Sequence, residues 1–430
     1  MNNAPIVVFD KSAFEAVSYR DHFFVLKHLR HNLVPILVVE IMADLSKCDE
    51  PRRPTELVLD LARKFHGGGP PLNTDHLSLL AHNLLGQAVA MDGRICLPRI
   101  DKVPCKDGGY GLMVPTSPLN ESILRWARGQ FTRNEEETAG EWRRASEALS
   151  MEHVQRLLEA NYVILPRAAS LREALSNVDD LLNATALQNV WLDALLQQGV
   201  LGDADVLRVR TRWAGRSSIC ISDFAPYASY CLRLTLLLAS AQRSGLVGAR
   251  PTDSVDLMYL YYLPFCQVFV SDDRIHKALA PLIIRSDQQF VKGQTLKADL
   301  HRLKDFWTDL QPTKRARLQF ALGFWPPPLR DSLVHSLWKR YMAPWRPSSG
   351  NMVSELPIDQ KKLAMKEVAA MFREVEGEEY FEGVDIDDFE IVTLTKPQQG
   401  KLVDLIKELL PGTERAQGKR SGGCSQPGAS

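Results

Sequence analysis

Four acidic clusters stand where apolar runs end, and their chemistry is the first thing to weigh. Asp10 follows Ile6-Val7-Val8-Phe9, and Glu40 follows Val34-Pro35-Ile36-Leu37-Val38-Val39. Asp256 lies in Asp253-Ser254-Val255-Asp256, just ahead of Leu257-Met258-Tyr259-Leu260. Val268-Phe269-Val270 runs straight into Ser271-Asp272-Asp273. Open α/β sheets build their sites at the carboxyl ends of strands. Carboxylates gathered there repel one another unless a cation sits among them, and Mg²⁺ or Mn²⁺ prefer such oxygen ligands. Two such ions about 3.5–4 Å apart can activate a water against a phosphodiester and stabilise the leaving oxygen. Asp10, Glu40, Asp256, Asp272 and Asp273 are therefore the candidate ligands. A plainer use competes: an Asp at a strand–helix junction caps the helix, and Asp10, Asp256 and Asp272 each suit that role.

Taken in order, VVFDKSAF, VPILVVEIMADL, VDLMYLYYL and FVSDD resemble the PIN domain, a family of metal-dependent ribonucleases. The resemblance covers residues 5–45 and 250–280. It implies a strand ending in Asp10, and Glu40 opening a helix after a second strand. It also implies Asp256 at the start of a late helix, and Asp273 two residues after a hydroxyl, Ser271. Asp10, Glu40, Asp256 and Asp273 would be catalytic, Asp272 a further ligand, and Ser271 a contact to phosphate or water. The implied fold is a parallel sheet flanked by helices, and the implied activity is Mg²⁺- or Mn²⁺-dependent cleavage of single-stranded RNA. One departure is large: 216 positions (256 − 40) separate the second and third acids, far more than in a compact member of the family. The expected organisation is thus α/β and PIN-like over 1–50 plus 250–345. A helix-rich insertion would fill 51–249, and an extension with a flexible tail would fill 346–430.

The elements that must position these residues follow from hydrophobic spacing. Residues 5–10 read as a buried strand and 12–30 as an amphipathic helix. The apolar run 33–39 reads as the second strand, with Glu40–Lys47 continuing as helix. Helices are expected at Thr55–Phe65 and Asp75–Gly86, with a turn and short strand at 91–97 and a loop at 104–120. The pattern is strongly helical from Asn120 to Leu201, with one long helix or two within Leu171–Gln198, and helical again over Asp223–Ser244. A helix at 253–263, a strand at 266–270 and a helix from 272 complete the proposed site. Beyond it, helices are expected near 358–374 and 396–410, and the end is polar and glycine-rich.

Other features narrow the chemistry. Lys+Arg and Asp+Glu both total 52, so the net charge is zero, which argues against a broadly basic nucleic-acid coat. A local basic groove remains open to Arg208, Arg210 and Arg212, which alternate along what reads as an extended segment beside Trp213. Arginines neutralise phosphates and an aromatic ring stacks on a base. The run His66-Gly67-Gly68-Gly69-Pro70-Pro71 lacks the lysine of a P-loop and reads as a connector. Seven cysteines without paired metal spacing read as reduced thiols, with Cys220, Cys231 and Cys266 in the core. His22, His28 and His31 read as surface groups, while His276 sits next to the last acidic cluster. With no signal peptide visible and no run of roughly 20 apolar residues, the chain reads as cytoplasmic and not membrane-bound. Two further functions stay open on these residues. One is a PIN-like binding or scaffold protein without activity, and the other is an all-helical interaction protein.

Overall fold

The computed structural model describes residues 4–342, apart from 48–52, 66–69, 99–100, 105–109, 114–116, 149–155, 157, 217–219, 312–313, 316–317 and 319–321. The glycine run at 67–69, the helices expected near 358–374 and 396–410, and the C-terminal tail lie outside the described residues.

The six strands among the described residues are β1 (Ile6–Phe9), β2 (Arg30–His31), β3 (Asp101–Pro104), β4 (Tyr110–Met113), β5 (Val268–Ser271) and β6 (Gln289–Lys292). Four of them form one all-parallel sheet in the order β2-β1-β5-β6. Val7 pairs with Val268 and Phe9 with Val270, while Val270 also pairs with Val291. Residues 5–45 and 250–280 therefore share one sheet, and an all-helical protein is excluded. β1 and β5 are buried on both faces, as the central strands of a helix-covered parallel sheet must be, and that is why both read as unbroken apolar runs. The chain leaves β1 toward β2 on one side and returns through β5 and β6 on the other. Strand order thus reverses between β1 and β5, and such a reversal opens a crevice at the carboxyl edge. Asp10 and Ser271–Asp273 stand there.

Local chemistry sets the helices around that edge. Asp10 N-caps Lys11–Ala16, accepting the Ala13 amide at 2.8 Å. Ser18 then caps a second helix, Tyr19–His28, so the expected helix 12–30 is two. The strand expected at 33–39 is corrected: Pro35 occupies the first helical turn, and Pro35–Ala43 is a helix. Proline is pre-shaped for that position. The run is apolar on every side because the helix is buried on most of its surface, a pattern that periodicity alone cannot tell from a strand. The true second strand is the short, mixed Arg30–His31.

Between the two halves of the sheet the chain is mostly helical. The segments are Pro54–Arg63, His76–Leu84, Pro118–Trp126, Arg133–Ala148, Leu171–Asn183, Gln188–Leu196, Asp203–Ala214 and Pro226–Arg243. Leu171–Gln198 is two helices. The antiparallel pair β3–β4 stands where a loop was expected, and residues 91–97 hold no strand. Pro226–Arg243 is the buried spine of this region, with Leu234, Leu236, Leu237 and Leu238 fully enclosed. Cys231 and Cys266 are buried as expected, and Cys220 is half-buried. One hydrophobic core runs from the sheet into these helices without a break. Polar ties reinforce it. Buried Lys64 donates to the Phe14 and Glu15 carbonyls at the end of the first helix, at 2.9 and 3.1 Å. Asn32 joins the Phe265 carbonyl and Asn73 at 2.9 and 3.1 Å. Among the described residues no helix is long and apolar enough to cross a membrane.

Candidate functional site

The end of β1 supplies the most heavily bonded acid. Asp10 is buried, and its Oδ2 accepts from the Ser12 hydroxyl at 2.9 Å and from the Ser271 hydroxyl. His276 Nδ1 lies 3.3 Å from the same oxygen and 2.8 Å from Ser271 Oγ. His276 Nε2 donates to the Asp256 carbonyl at 2.7 Å. A carbonyl only accepts, so Nε2 carries a proton. Burial pushes this imidazole down, but Asp10 and the Asp256 carbonyl outweigh it and hold it above its ordinary value. Burial likewise pushes the Asp10 carboxyl up, and the bonds from His276, Ser271 and Ala13 more than offset that. Asp10 and His276 form a buried pair, 3.3 Å apart, that favours the charged imidazole. Ser271, expected to meet a phosphate or a water, is buried and serves Asp10; it also accepts the Asp273 amide at 3.0 Å.

Glu40 is brought in by a different route from the one the sequence suggested. It sits in the body of Pro35–Ala43 rather than at the start of a helix, and its carboxylate accepts from the Tyr259 hydroxyl. Burial leaves it above its ordinary value; Tyr259 and Lys11 oppose that, while Asp10 and Asp44 add to it. Lys11 itself donates to the Glu40 carbonyl at 3.1 Å and to Asp44 Oδ1 at 2.6 Å.

Asp256 occupies the first turn of Asp253–Leu260, as expected. Its carboxyl is pushed up to about 7, first by burial, then by Asp273 and Glu40, against the pull of His276 and Arg250. Asp273 N-caps Arg274–Ile283 through the Ile275 amide at 2.6 Å. Its Oδ2 also lies 3.5 Å from Arg250, which reaches Asp253 at 3.4 Å. Asp272 turns the other way. Lys277 lies 3.5 Å from its Oδ1, and its Oδ2 is buried with no hydrogen-bond partner, pressed on Gly293 where the helix Gly293–Asp309 begins. A carboxylate at a helix start is favoured by the dipole.

Asp10, Glu40, Asp256 and Asp273 thus come from four segments and act on one another electrostatically. Carboxylates gathered there, with one acid pushed up to about 7, are the ligand type that a hard divalent ion takes, but the orphaned Asp272 oxygen faces Gly293 instead. The carboxylates are nonetheless not drawn to ligating distance. Among the described residues no group of three or more His, Cys, Asp or Glu side chains is arranged to hold a metal. His276 and Ser271 hold Asp10 Oδ2 instead.

The arginines expected to line a groove are corrected. Residues 208–212 lie in the helix Asp203–Ala214, not in an extended segment. Each two-residue step turns about 200° around a helix, so alternate side chains diverge. Arg208 pairs with Asp205 at 2.9 Å and Arg210 with Asp193 at 2.8 Å. Arg212 donates to the Leu84 and Phe224 carbonyls at 2.6 and 2.7 Å and stacks 3.8 Å above the Phe224 ring. The histidines differ too. His22, His28 and His31 are buried beside Phe9, Phe14, Phe24 and Phe65, not on the surface. Burial holds His28 and His31 down to about 3, so both are neutral in the core.

Sequence reasoning passed over Tyr259 and Arg250. Tyr259 had a signal: it stands three residues after Asp256, on the same helical face. Arg250 had none, lying outside every motif.

No protein-family model matches this sequence, and no curated protein or solved structure matches it.

Proposed function

We propose that this chain is a PIN-like nuclease that cleaves single-stranded RNA with Mg²⁺ or Mn²⁺. One observation carries the reading: four acids from distant segments influence one another electrostatically near the edge where β1 and β5 end and strand order reverses. Asp10, Glu40, Asp256 and Asp273 are the residues that would hold the ions, with Asp272 beside them. Bound there, divalent ions supply an acidified water and charge stabilisation of the leaving oxygen. The chain's own residues do the rest. Ser271 and His276 fix the Asp10 carboxylate, Tyr259 fixes Glu40, and Arg250 tethers Asp273. The RNA assignment comes from the motif resemblance.

A labelled pool of single-stranded RNA tests this with wild type and Asp10→Asn, in Mg²⁺, Mn²⁺ or EDTA. Cleavage should need the metal and should vanish in the variant. Glu40→Gln and Asp256→Asn should also abolish it, and combining them should add little, since one site fails as a unit. Equal cleavage by Asp10→Asn, or none by wild type with either metal, sinks the nuclease reading.

A second reading has its own observation. The buried His276–Asp10 pair favours a charged imidazole beside the carboxylate that a metal would need. A PIN-like scaffold that binds RNA or a protein without cleaving it accommodates that pair unchanged. Wild type that binds RNA, ignores both metals and cleaves nothing supports this second reading.

A further inference from the structure

Asp256 and Tyr259 stand one turn apart on Asp253–Leu260 and point to the same side. The acid looks into the cluster, and the phenol donates to Glu40, which lies 219 positions earlier in the chain. Tyr259 is almost wholly enclosed, and its ring meets the His276 ring edge-on with centroids 5.8 Å apart. On its other side His276 meets Phe269 of β5 in the same manner, at 5.1 Å. The phenol is thus wedged in one orientation by a ring that is itself fixed by bonds to Asp10 and the Asp256 carbonyl. Glu40 has no comparable support from its own helix. Lys11 donates to the Glu40 main-chain carbonyl, not to its carboxylate. A glutamate has three side-chain torsions, and left to itself it samples many positions.

We infer that Tyr259 is a positioning residue, fixing the Glu40 carboxylate on the side of Asp256 and Asp10, from where a divalent cation would draw the acids together. This deepens the metal-dependent reading and rests on it. Groups that orient ligating carboxylates commonly change metal affinity or activity 10–100-fold when removed. The helix Asp253–Leu260 would then contribute two functions from adjacent turns: a carboxylate of its own and the donor that aims the carboxylate of another segment.

The test is Tyr259→Phe, which removes one oxygen from a ring that keeps its packing. The half-saturating Mn²⁺ concentration for RNA cleavage should rise about tenfold or more, while the RNA KM stays within twofold. The double variant Tyr259→Phe/Glu40→Gln should be no weaker in Mn²⁺ binding, followed by metal-induced thermal shift, than Glu40→Gln alone. A purely structural tyrosine would lower the melting temperature and leave the metal half-saturation unchanged. That outcome overturns the inference, as does an additive double variant. Should Tyr259→Phe not fold, 3-fluorotyrosine at 259 alters the acidity of the same hydroxyl at nearly the same volume. A metal half-saturation within twofold of wild type then overturns the inference as well. Wild type that neither cleaves RNA nor shifts with Mn²⁺ overturns the metal reading itself, a result distinct from the failure of Tyr259 alone.

Discussion

Replacing Asp256 by Asn isolates the strain that the acidic cluster places on the fold. In the folded chain this carboxyl is pushed from 3.8 up to about 7, first by burial and then by Asp273 and Glu40. The folded form therefore keeps its proton at pH values where the unfolded form has lost it. Stability falls as pH rises across that window and is lowest above it. A shift of about three pH units corresponds to about 4 kcal/mol. The proton is shared within a coupled cluster, so about 1–3 kcal/mol is expected at this one site. Asn keeps the shape without the charge. In EDTA, urea melts at pH 5 should show the two proteins within about 1 kcal/mol, and at pH 8 the variant should be the more stable by about 1–3 kcal/mol. His276 sharpens the pH dependence of both proteins: its raised value adds stability at acid pH that is lost as it deprotonates. Because Asp256 itself helps to raise His276, the difference between the two curves reports the coupled pair. Mn²⁺ at pH 8 should restore wild type and leave the variant unmoved, because a bound cation would offset the Asp256 charge that destabilises the fold once its proton is lost. Parallel curves in EDTA across pH 5–8 refute the electrostatic argument, whatever the metal does.

Three other perturbations follow. Asp10→Asn strips a buried imidazolium of its partner, so it should cost more stability at pH 5, where His276 is charged, than at pH 8; thermal melts at the two values check this, and breaking a buried pair typically costs about 3–5 kcal/mol. In Gly293→Ala the new methyl would sit 2.6 Å from Asp272 Oδ2 and 2.9 Å from the Ala13 methyl; a loss of about 1–3 kcal/mol by chemical denaturation is expected, as for overpacking, with Asp272 displaced. Arg212→Ala should destabilise by about 1–3 kcal/mol through two lost bonds to carbonyls, while Arg210→Ala, an exposed pair, should change stability by less than about 1 kcal/mol. Neither arginine should alter the salt dependence of RNA binding; a reduced slope in filter binding would return them to the substrate surface.

What was legible in the sequence was what depends on short stretches. β1 and β5 announced themselves as apolar runs because central parallel strands are buried on both faces. Asp10 was legible as both an acid and a cap, and it is a cap here; the caps expected at Asp256 and Asp272 fall instead on Thr252 and Asp273. What escaped is what depends on context. Val34–Val39 looks like a strand because a buried helix is also apolar all round, and only Pro35 hinted at the outcome. Arg208, Arg210 and Arg212 align only if the backbone is extended, and a helical backbone scatters them. His22, His28 and His31 carry no mark of burial; their packing against Phe9, Phe14, Phe24 and Phe65 is a tertiary fact. The partners of Asp10 and Glu40 lie 266 and 219 positions away, and no local pattern could join them.

The two functional readings diverge on what happens to His276. Its imidazolium and a divalent ion are alternatives for the same carboxylate, because each neutralises Asp10 Oδ2 at close range. A nuclease must therefore let Asp10 turn from His276, or share it, when metal arrives. Ser271 makes sharing feasible, since its hydroxyl bonds both groups and can hold the histidine in place when the carboxylate swings. His276 also keeps its bond to the Asp256 carbonyl throughout, so the ring need not move. A scaffold needs no such freedom and gains from the pair as it stands. The discriminating residue is consequently His276 rather than any acid. His276→Gln keeps a neutral donor beside Asp10 and removes the competing charge. A nuclease should then bind Mn²⁺ more tightly at pH 6, as read from the metal-induced shift in melting temperature, and the advantage should shrink by pH 8. A scaffold should lose stability at pH 6 and acquire no response to metal. Unchanged metal response together with unchanged stability would refute the buried ion pair on which both readings turn.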